Sequence, residues 1–448
     1  MNLKSYIPFY KRNLNLAIPV VITQTGQMIV QFADNIMVGH LGTTPFAGVA
    51  FANTLITILL VFFTCFTQGL IPHVGHNYGR GNHKSVADYF VNAAILDTLL
   101  CGFIILSLFA TPLMHYMGQD AQILPYAKTY YIISVISLIP LVLFFAIRNF
   151  AEGIGITKHV MYITVICNVL NIVLNWILIY GKLGAPALGV AGAAYATLIS
   201  RILMLIIFIV LIFKISPYKE YIGLINKESL SKSKFIDVLK TSIPISLQAL
   251  VEVSAFNLSG IMVGWFGQNA MAANQIALTI TTFSFMAANG IGVAATIRVA
   301  HQFGEKRYKD SRTAGFAAMH LSLALMLTAG FIYIIFRNYI PYIFVSDPEV
   351  TAIASSLIVI AACFQVFDAT QLSSLASLRG LADVKAPLFF SLISYYLIGL
   401  TMSYVFSKVM GIGPIGVWLG LSLGLATAAV TYTIRFRRIT SQYINGSR

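Results

Sequence analysis

Residues 14–42 read LNLAIPVVITQTGQMIVQFADNIMVGHLG, and residues 239–267 read LKTSIPISLQALVEVSAFNLSGIMVGWFG. Each is a predominantly apolar run long enough to cross the ~30 Å hydrocarbon core of a bilayer as a helix. Each carries a proline early (Pro19, Pro244) and reaches Met-Val-Gly late (Met37-Val38-Gly39, Met262-Val263-Gly264). Each then meets a second glycine three residues on (Gly42, Gly267). All these matches share one offset, 225, which also relates His76-x-x-Gly79 to His301-x-x-Gly304. Further along, Gly153, Lys158, Gly184 and Gly189 match Gly380, Lys385, Gly411 and Gly416 at an offset of 227. A two-residue insertion therefore separates the two blocks, and the chain is an internal duplication.

Working outward, the 448 residues are 58% hydrophobic and only 10% charged, with a mean hydropathy of +0.81. Soluble domains carry about 25% charged residues, so water cannot solvate this surface and a bilayer can. Apolar spans centre near Val21, Val61, Leu100, Leu138, Leu170, Met204, Leu250, Phe283, Met326, Ala361, Tyr396 and Leu425. This predicts an all-α membrane protein with twelve transmembrane helices, six in each of two pseudo-symmetric lobes. The repeat divides the chain into an N-lobe (1–213), a linker (214–235) and a C-lobe (236–448). Six spans per half give both halves the same orientation, as in parallel-repeat transporters. Lys4, Lys11 and Arg12 ahead of an apolar run resemble a signal peptide, but the run from Leu14 to Val38 is too long and contains Asp34, so it is read as a retained first helix.

The net charge of +14 invites a nucleic-acid reading, but the basic residues fall in short loops between apolar runs. With the N-terminus inside, 24 Lys and Arg lie on the inner side and four (Lys128, Lys182, Arg337, Lys408) on the outer side. The positive-inside rule then places both termini in the cytoplasm of a bacterial cell, with the chain in the inner membrane. No nucleic-acid partner is implied. Cys65, Cys101, Cys167 and Cys363 lie in apolar runs without CxxC spacing and read as small packing residues. His73-x-x-His76 lies at a span end with no third ligand and reads as interfacial; no metal site or cofactor is expected.

Ionisable side chains inside the hydrocarbon cost at least ~2.5–3.5 kcal/mol each, so each needs a reason. Four acids qualify: Asp34, Asp97, Glu252 and Asp368. Glu252 has Gln248 one turn earlier; Asp368 has Gln365 and Gln371 on either side. Two carboxylates with amide oxygens suit a hard cation, and a proton can replace it where repulsion and desolvation act together. Asp34 follows Gln24, Gln27 and Gln31, while Asn168, Asn171 and Asn175 form a helical stripe in the fifth span. The repeat puts Gln27 opposite Glu252 and Ser259 opposite Asp34, so each half has its own acidic site. Asp97 and Arg201, of opposite charge and equal depth, are expected to form a structural ion pair. Pro19 and Pro244 each remove a helix hydrogen bond, and Pro19 is a candidate hinge.

Taken together, Ala33-Asp34-Asn35-Ile36-Met37-Val38-Gly39, Gln248 to Glu252, Ala272-Ala273-Asn274-Gln275, Arg298-Val299-Ala300-His301, and Phe367-Asp368-Ala369-Thr370-Gln371 leading to Leu378-Arg379-Gly380 resemble the multidrug and toxic compound extrusion (MATE) transporters, nearest the bacterial NorM-like branch. The resemblance covers nearly the whole chain. It implies lobes in a V around a central cleft and export of organic cations. It implies a C-lobe cation site at Glu252 and Asp368, with Gln248 and Gln371 in support. It further implies an N-lobe proton- or Na⁺-linked site at Asp34, Asn171 and Asn175, with Gln27 nearby and bending at Pro19. Phe364 is a candidate cation–π contact. The chain departs from some relatives in Asn175, where they carry an acid, and Ala193, where they carry threonine.

The function expected is therefore secondary antiport, with cationic or amphipathic compounds leaving in exchange for Na⁺ or H⁺. Ion and substrate would compete for the buried carboxylates, and the functional unit would be a monomer. No Walker pattern is present, so a gradient supplies the energy. The alternatives are a lipid-linked oligosaccharide flippase of the same superfamily, which calls for basic cavity residues, and a membrane-embedded enzyme or receptor.

Overall fold

The computed structural model describes residues 6–446, so Lys4 and Arg448 of the charge pattern lie outside the described residues. Among the described residues, twelve helices are long and apolar enough to cross a membrane. In the first half these are α1 (Ile7–Gly39), α2 (Thr43–Gly79), α3 (His83–Leu108), α4 (Leu124–Gly153), α5 (Lys158–Tyr180) and α6 (Val190–Lys214). In the second half they are α7 (Lys232–Gly264), α8 (Gln268–Gly304), α9 (Tyr308–Phe336), α10 (Pro348–Gly380), α11 (Lys385–Val409) and α12 (Pro414–Ile444). Every span centre expected from the sequence lies inside one of them. Helices satisfy their own backbone, which lipid cannot do for them. Large apolar side chains such as Phe109, Phe331, Leu397 and Ile434 are accordingly left exposed on the protein surface.

The duplication is visible in the helix boundaries. α1 and α7 are both 33 residues long, and α2 and α8 both span 37, each pair at the offset of 225. The starts of α5 and α11 keep the offset of 227. Gly42 (φ 117°) and Gly267 (φ 101°) sit at equivalent positions, where the chain turns into the next helix through a conformation that a Cβ disfavours. Local signals set other ends. Asn82 accepts from Ser85 N at 3.0 Å to cap α3. Asp347 caps α10, accepting from Glu349 N (2.8 Å) and Val350 N (3.1 Å).

The chain packs as two compact units, one of residues 22–246 and one of 1–21 with 247–448. The division differs from the repeat boundary at 214–235. It falls within α1 after Val21 and within α7 after Ser246, two equivalent places, each two residues beyond a proline. Within the first unit α4 is central, packing on α2, α3 and α6. Its counterpart α10 is central in the other, packing on α8, α9 and α12. The segment after α6 is tied to α3: Lys84 Nζ donates to Leu224 O (2.7 Å), Asn226 Oδ1 (2.7 Å) and Ser229 Oγ (2.8 Å). Asp88 receives Lys234 at 2.6 Å.

α11 is not a regular α-helix, because residues Leu392–Leu400 and Val405–Val409 take the wider π form. Such turns are rare and cluster where a side chain has to be re-aimed. α11 lies against glycines of α12: a Cβ on Gly424 would stand 2.7 Å from Ser394 O in the first π stretch, and one on Gly420 2.1 Å from Ser403 N in the turn between the two stretches. Gly420→Val should therefore destabilise the fold by about 1–3 kcal/mol through overpacking. Gly102→Ala, with nothing within 4 Å of its Cβ, should not. Melting midpoints of the two purified variants in one detergent check the contrast.

Candidate functional site

In the second half, α10 carries Asp368 and Gln371 on its buried side, 4% and 0% exposed. α7 brings Glu252, partly buried, to within electrostatic reach of Asp368. The structure thus joins the two carboxylates that the sequence singled out. Glu252 accepts from Gln248 Nε2 at 3.0 Å. Gln371 and Tyr395 also approach Glu252, yet neither amide atom of Gln371 nor the Tyr395 hydroxyl meets hydrogen-bond geometry with any described group. Gln365 donates to Ser284 Oγ at 2.7 Å and leaves its own Oε1 without a partner. Buried polar atoms are normally satisfied, so Gln371 Oε1 and Gln365 Oε1 are acceptors to spare on the helix that carries Asp368. Oxygen-rich surroundings with two carboxylates fit a hard cation.

Gln248 differs from its expected role. Its Oε1 accepts from Arg379 Nη2 at 2.6 Å. A guanidinium has no acceptor, so the amide oxygen must face Arg379 and the NH₂ must face Glu252. Gln248 therefore presents a donor, not an oxygen ligand, to the carboxylate. Gln371 is the residue with an oxygen to offer. Tyr395 and Arg379 were not among the expected site residues. Tyr395 is aimed by the π stretch of α11, which no periodicity announces, and Arg379 was visible only as part of the α10 end motif. Phe364 is buried beside Trp418 (ring centroids 5.8 Å apart) and Phe256 (6.4 Å).

In the first half, α1 and α5 bring Asp34 and the asparagine stripe together. Asn175 donates a short hydrogen bond to Asp34 Oδ1 and a second, at 3.1 Å, to Asn171 Oδ1. Asn171 in turn donates to Thr197 Oγ1 at 3.5 Å. Thr197 lies one turn beyond Ala193 on α6, so a threonine does reach this network, from the next turn. Asn168 approaches Gly26, and a Cβ there would stand 3.2 Å from its Nδ2. No described hydrogen bond reaches Gln27, which is partly buried on α1.

The expected Asp97–Arg201 pair does not form. α3 and α6 each pack on α4. Arg201 Nη1 donates to Ser137 Oγ of α4 at 2.6 Å and lies in electrostatic reach of Asp34 and Tyr130. Asp97 is 2% exposed, and its Oδ2 has no hydrogen-bond partner. Equal depth is one coordinate; facing the same neighbour is another. His73 bonds Thr241 Oγ1 at 2.8 Å and stacks on Tyr89. Among the described residues no cluster of three His, Cys, Asp or Glu is arranged to hold a metal.

Two six-helix repeats, each with an ionisable site inside membrane-spanning helices, define a secondary-transporter architecture. The family model MatE matches residues 19–177 and 244–405, one match per repeat and each beginning at a proline. The chain belongs to the MatE family of multidrug efflux transporters. It is 30% identical to the "Probable multidrug resistance protein NorM" of Oceanobacillus iheyensis over 94% of both chains. It is 29% identical to the protein of that name from Agrobacterium fabrum, over 99% of this chain and 97% of the relative. The "Multidrug resistance protein NorM" of Aliivibrio fischeri is 30% identical over 95% and 93%. Among solved structures, a MATE in the straight conformation matches with a TM-score of 0.90 at 23% identity, covering 98% of this chain and 97% of that one. The eukaryotic MATE transporter AtDTX14 matches with 0.86 at 19% identity, covering 98% of each.

The two carboxylate environments yield a contrast for double-mutant cycles. Asp34→Asn with Asn175→Leu should show a coupling of about 1 kcal/mol or more, since the pair is hydrogen-bonded. Asp97→Asn with Arg201→Met should be additive to within about 0.5 kcal/mol, since no contact joins them. Unfolding midpoints of the single and double variants give both numbers.

Proposed function

We propose that the protein is a monomeric antiporter of the cytoplasmic (inner) membrane, with both termini cytoplasmic, that exports cationic or amphipathic organic compounds against inward flow of Na⁺ or H⁺. The observation that carries this reading is the pair of Asp368, buried, and Glu252, partly buried, with Gln371 Oε1 unpartnered nearby. Two carboxylates held near one another in a low-dielectric setting cannot both stay ionised at low cost without a cation. A drug cation, Na⁺ or a proton each meets that need, and one replaces another. Asp34 with Asn171 and Asn175 is the corresponding ion-linked site of the first half.

In the cycle, the inward-facing protein takes up a cationic compound on the ionised carboxylates. The outward-facing protein exchanges it for the driving cation. An inward-moving monovalent cation gains about 2.3 kcal/mol per 100 mV. One-for-one exchange with a monovalent drug is electroneutral, so the ion's concentration gradient then drives it. Pro19 is the hinge of this scheme, supported by its place two residues before α1 passes from one unit to the other.

The test is efflux of a fluorescent cationic dye from energised inverted vesicles, with Na⁺ and pH varied separately. Glu252→Gln and Asp368→Asn should each cut efflux at least tenfold while the protein still inserts, and the ion that restores wild-type efflux names the coupling. Dye export by both variants at the wild-type rate would overturn the carboxylate mechanism. Movement of a lipid-linked oligosaccharide but of no cationic dye would establish the flippase alternative.

A further inference from the structure

Three residues form a line through the second half: Arg379 Nη2 donates to Gln248 Oε1 (2.6 Å), and Gln248 Nε2 donates to Glu252 Oε2 (3.0 Å). All three belong to the same compact unit. The direction of both bonds follows from Arg379, which can only donate. Protonating Glu252 does not release the amide, because turning it would set an NH₂ against the guanidinium. The groups that face Glu252 are Gln248 of α7, Asp368, Gln371 and Arg379 of α10, Tyr395 of α11 and Tyr432 of α12. Arg379 is the one cation among them.

The repeat shows that this arrangement is particular to the second half. At the offset of 227, Arg379 stands where the first half has Glu152. Glu152 is paired with Arg148 of its own helix at 2.7 Å, both side chains almost fully buried. The position equivalent to Arg148 is Leu375, so the Arg–Glu pair of the first half is not repeated on α10. Arg379 reaches α7 through its bond to Gln248.

We infer that Arg379 is a built-in counter-charge of the Glu252 site: acting through Gln248, it lowers the affinity of the site for a transported cation so that bound ion and drug can be released. This rests on the carboxylate-exchange reading above. A tethered guanidinium offsets part of the carboxylate's charge in every state of the cycle, and an incoming cation meets that much less attraction. It also keeps Gln248 from adding an oxygen ligand, which leaves Asp368, Glu252 and Gln371 as the oxygen set. Arg379 is thus a positioning residue; it does not itself touch the cargo.

The experiment uses the full chain in liposomes, with dye transport measured against Na⁺ and against pH in separate arms. For Arg379→Gln, the half-saturating concentration of whichever cation drives transport should fall about tenfold, the KM for dye should fall with it, and the maximal rate should drop as release slows. Arg379→Lys should stay within about threefold of wild type. Gln248→Leu should shift the half-saturation the same way, and adding Arg379→Gln to it should add little, because both cut one line. A purely structural role lowers the yield of folded protein or the maximal rate without moving either half-saturation. Folded Arg379→Gln with unchanged half-saturation overturns the inference; if that variant is not recovered folded, the Gln248→Leu shift decides it. Glu252→Gln, run alongside, separates the two readings. If it exports as wild type, the exchange mechanism itself has failed; if it is inactive while Arg379→Gln is kinetically normal, only the role of Arg379 has.

Discussion

A carboxylate carried into hydrocarbon is costly unless it finds a partner, because desolvation is not recovered by helix packing alone. Asp34 and Glu252 each find one, while Asp97 Oδ2 is left without. Asp34 is met by Asn175, which is held by Asn171, which leans on Thr197. Glu252 is met by Gln248, which is held by Arg379. Both are relays in which a neutral amide separates the acid from what lies behind it. Gln248 donates at one end and accepts at the other, so it transmits the orientation imposed on it, whereas Asn175 donates to both Asp34 and Asn171 and leaves its own Oδ1 without a partner.

The scaffold around these relays is the same in both halves. α4 and α10 are each the central helix of a unit, and α1 and α7 each pass from one unit to the other two residues beyond a proline. A proline inside a helix leaves a carbonyl without its usual donor, and the helix bends there more easily than elsewhere. Having both weakened points at equivalent residues, where the packing changes hands, means that each half contributes one such helix. Asp34 and Glu252 lie on those same two helices, beyond the prolines.

The span count and the repeat were legible from the residues alone, because each depends on information held locally. Span length answers to bilayer thickness, and Gly42 and Gly267 mark equivalent turns by residue type. The partnership of Asp34 with Asn171 and Asn175 was legible because the asparagines recur at helical spacing. What was not legible depends on which helix stands beside which. Asp97 and Arg201 match in depth, yet Arg201 donates to Ser137 of α4 and lies in reach of Asp34. The amide of Gln248 is oriented by a residue 131 positions away. Tyr395 reaches Glu252 through a π stretch that has no distinct apolar period.

The duplication left one scaffold twice, but the acids did not stay at equivalent positions. Gln27 faces the place of Glu252, Ser259 that of Asp34, and Glu152 that of Arg379. Two identical acidic sites in one chain would bind the same ion with the same affinity and respond together. Different environments separate them: one acid is held by neutral amides and a threonine, with Arg201 in reach, and the other lies beside a second carboxylate and is tempered by a guanidinium through Gln248. Exchange transport needs a site strong enough to take a cation from water and weak enough to give it up on the other side. On the proposed exchange reading, the carboxylate pair answers the first condition, and the guanidinium of Arg379, one amide away from Glu252, answers the second.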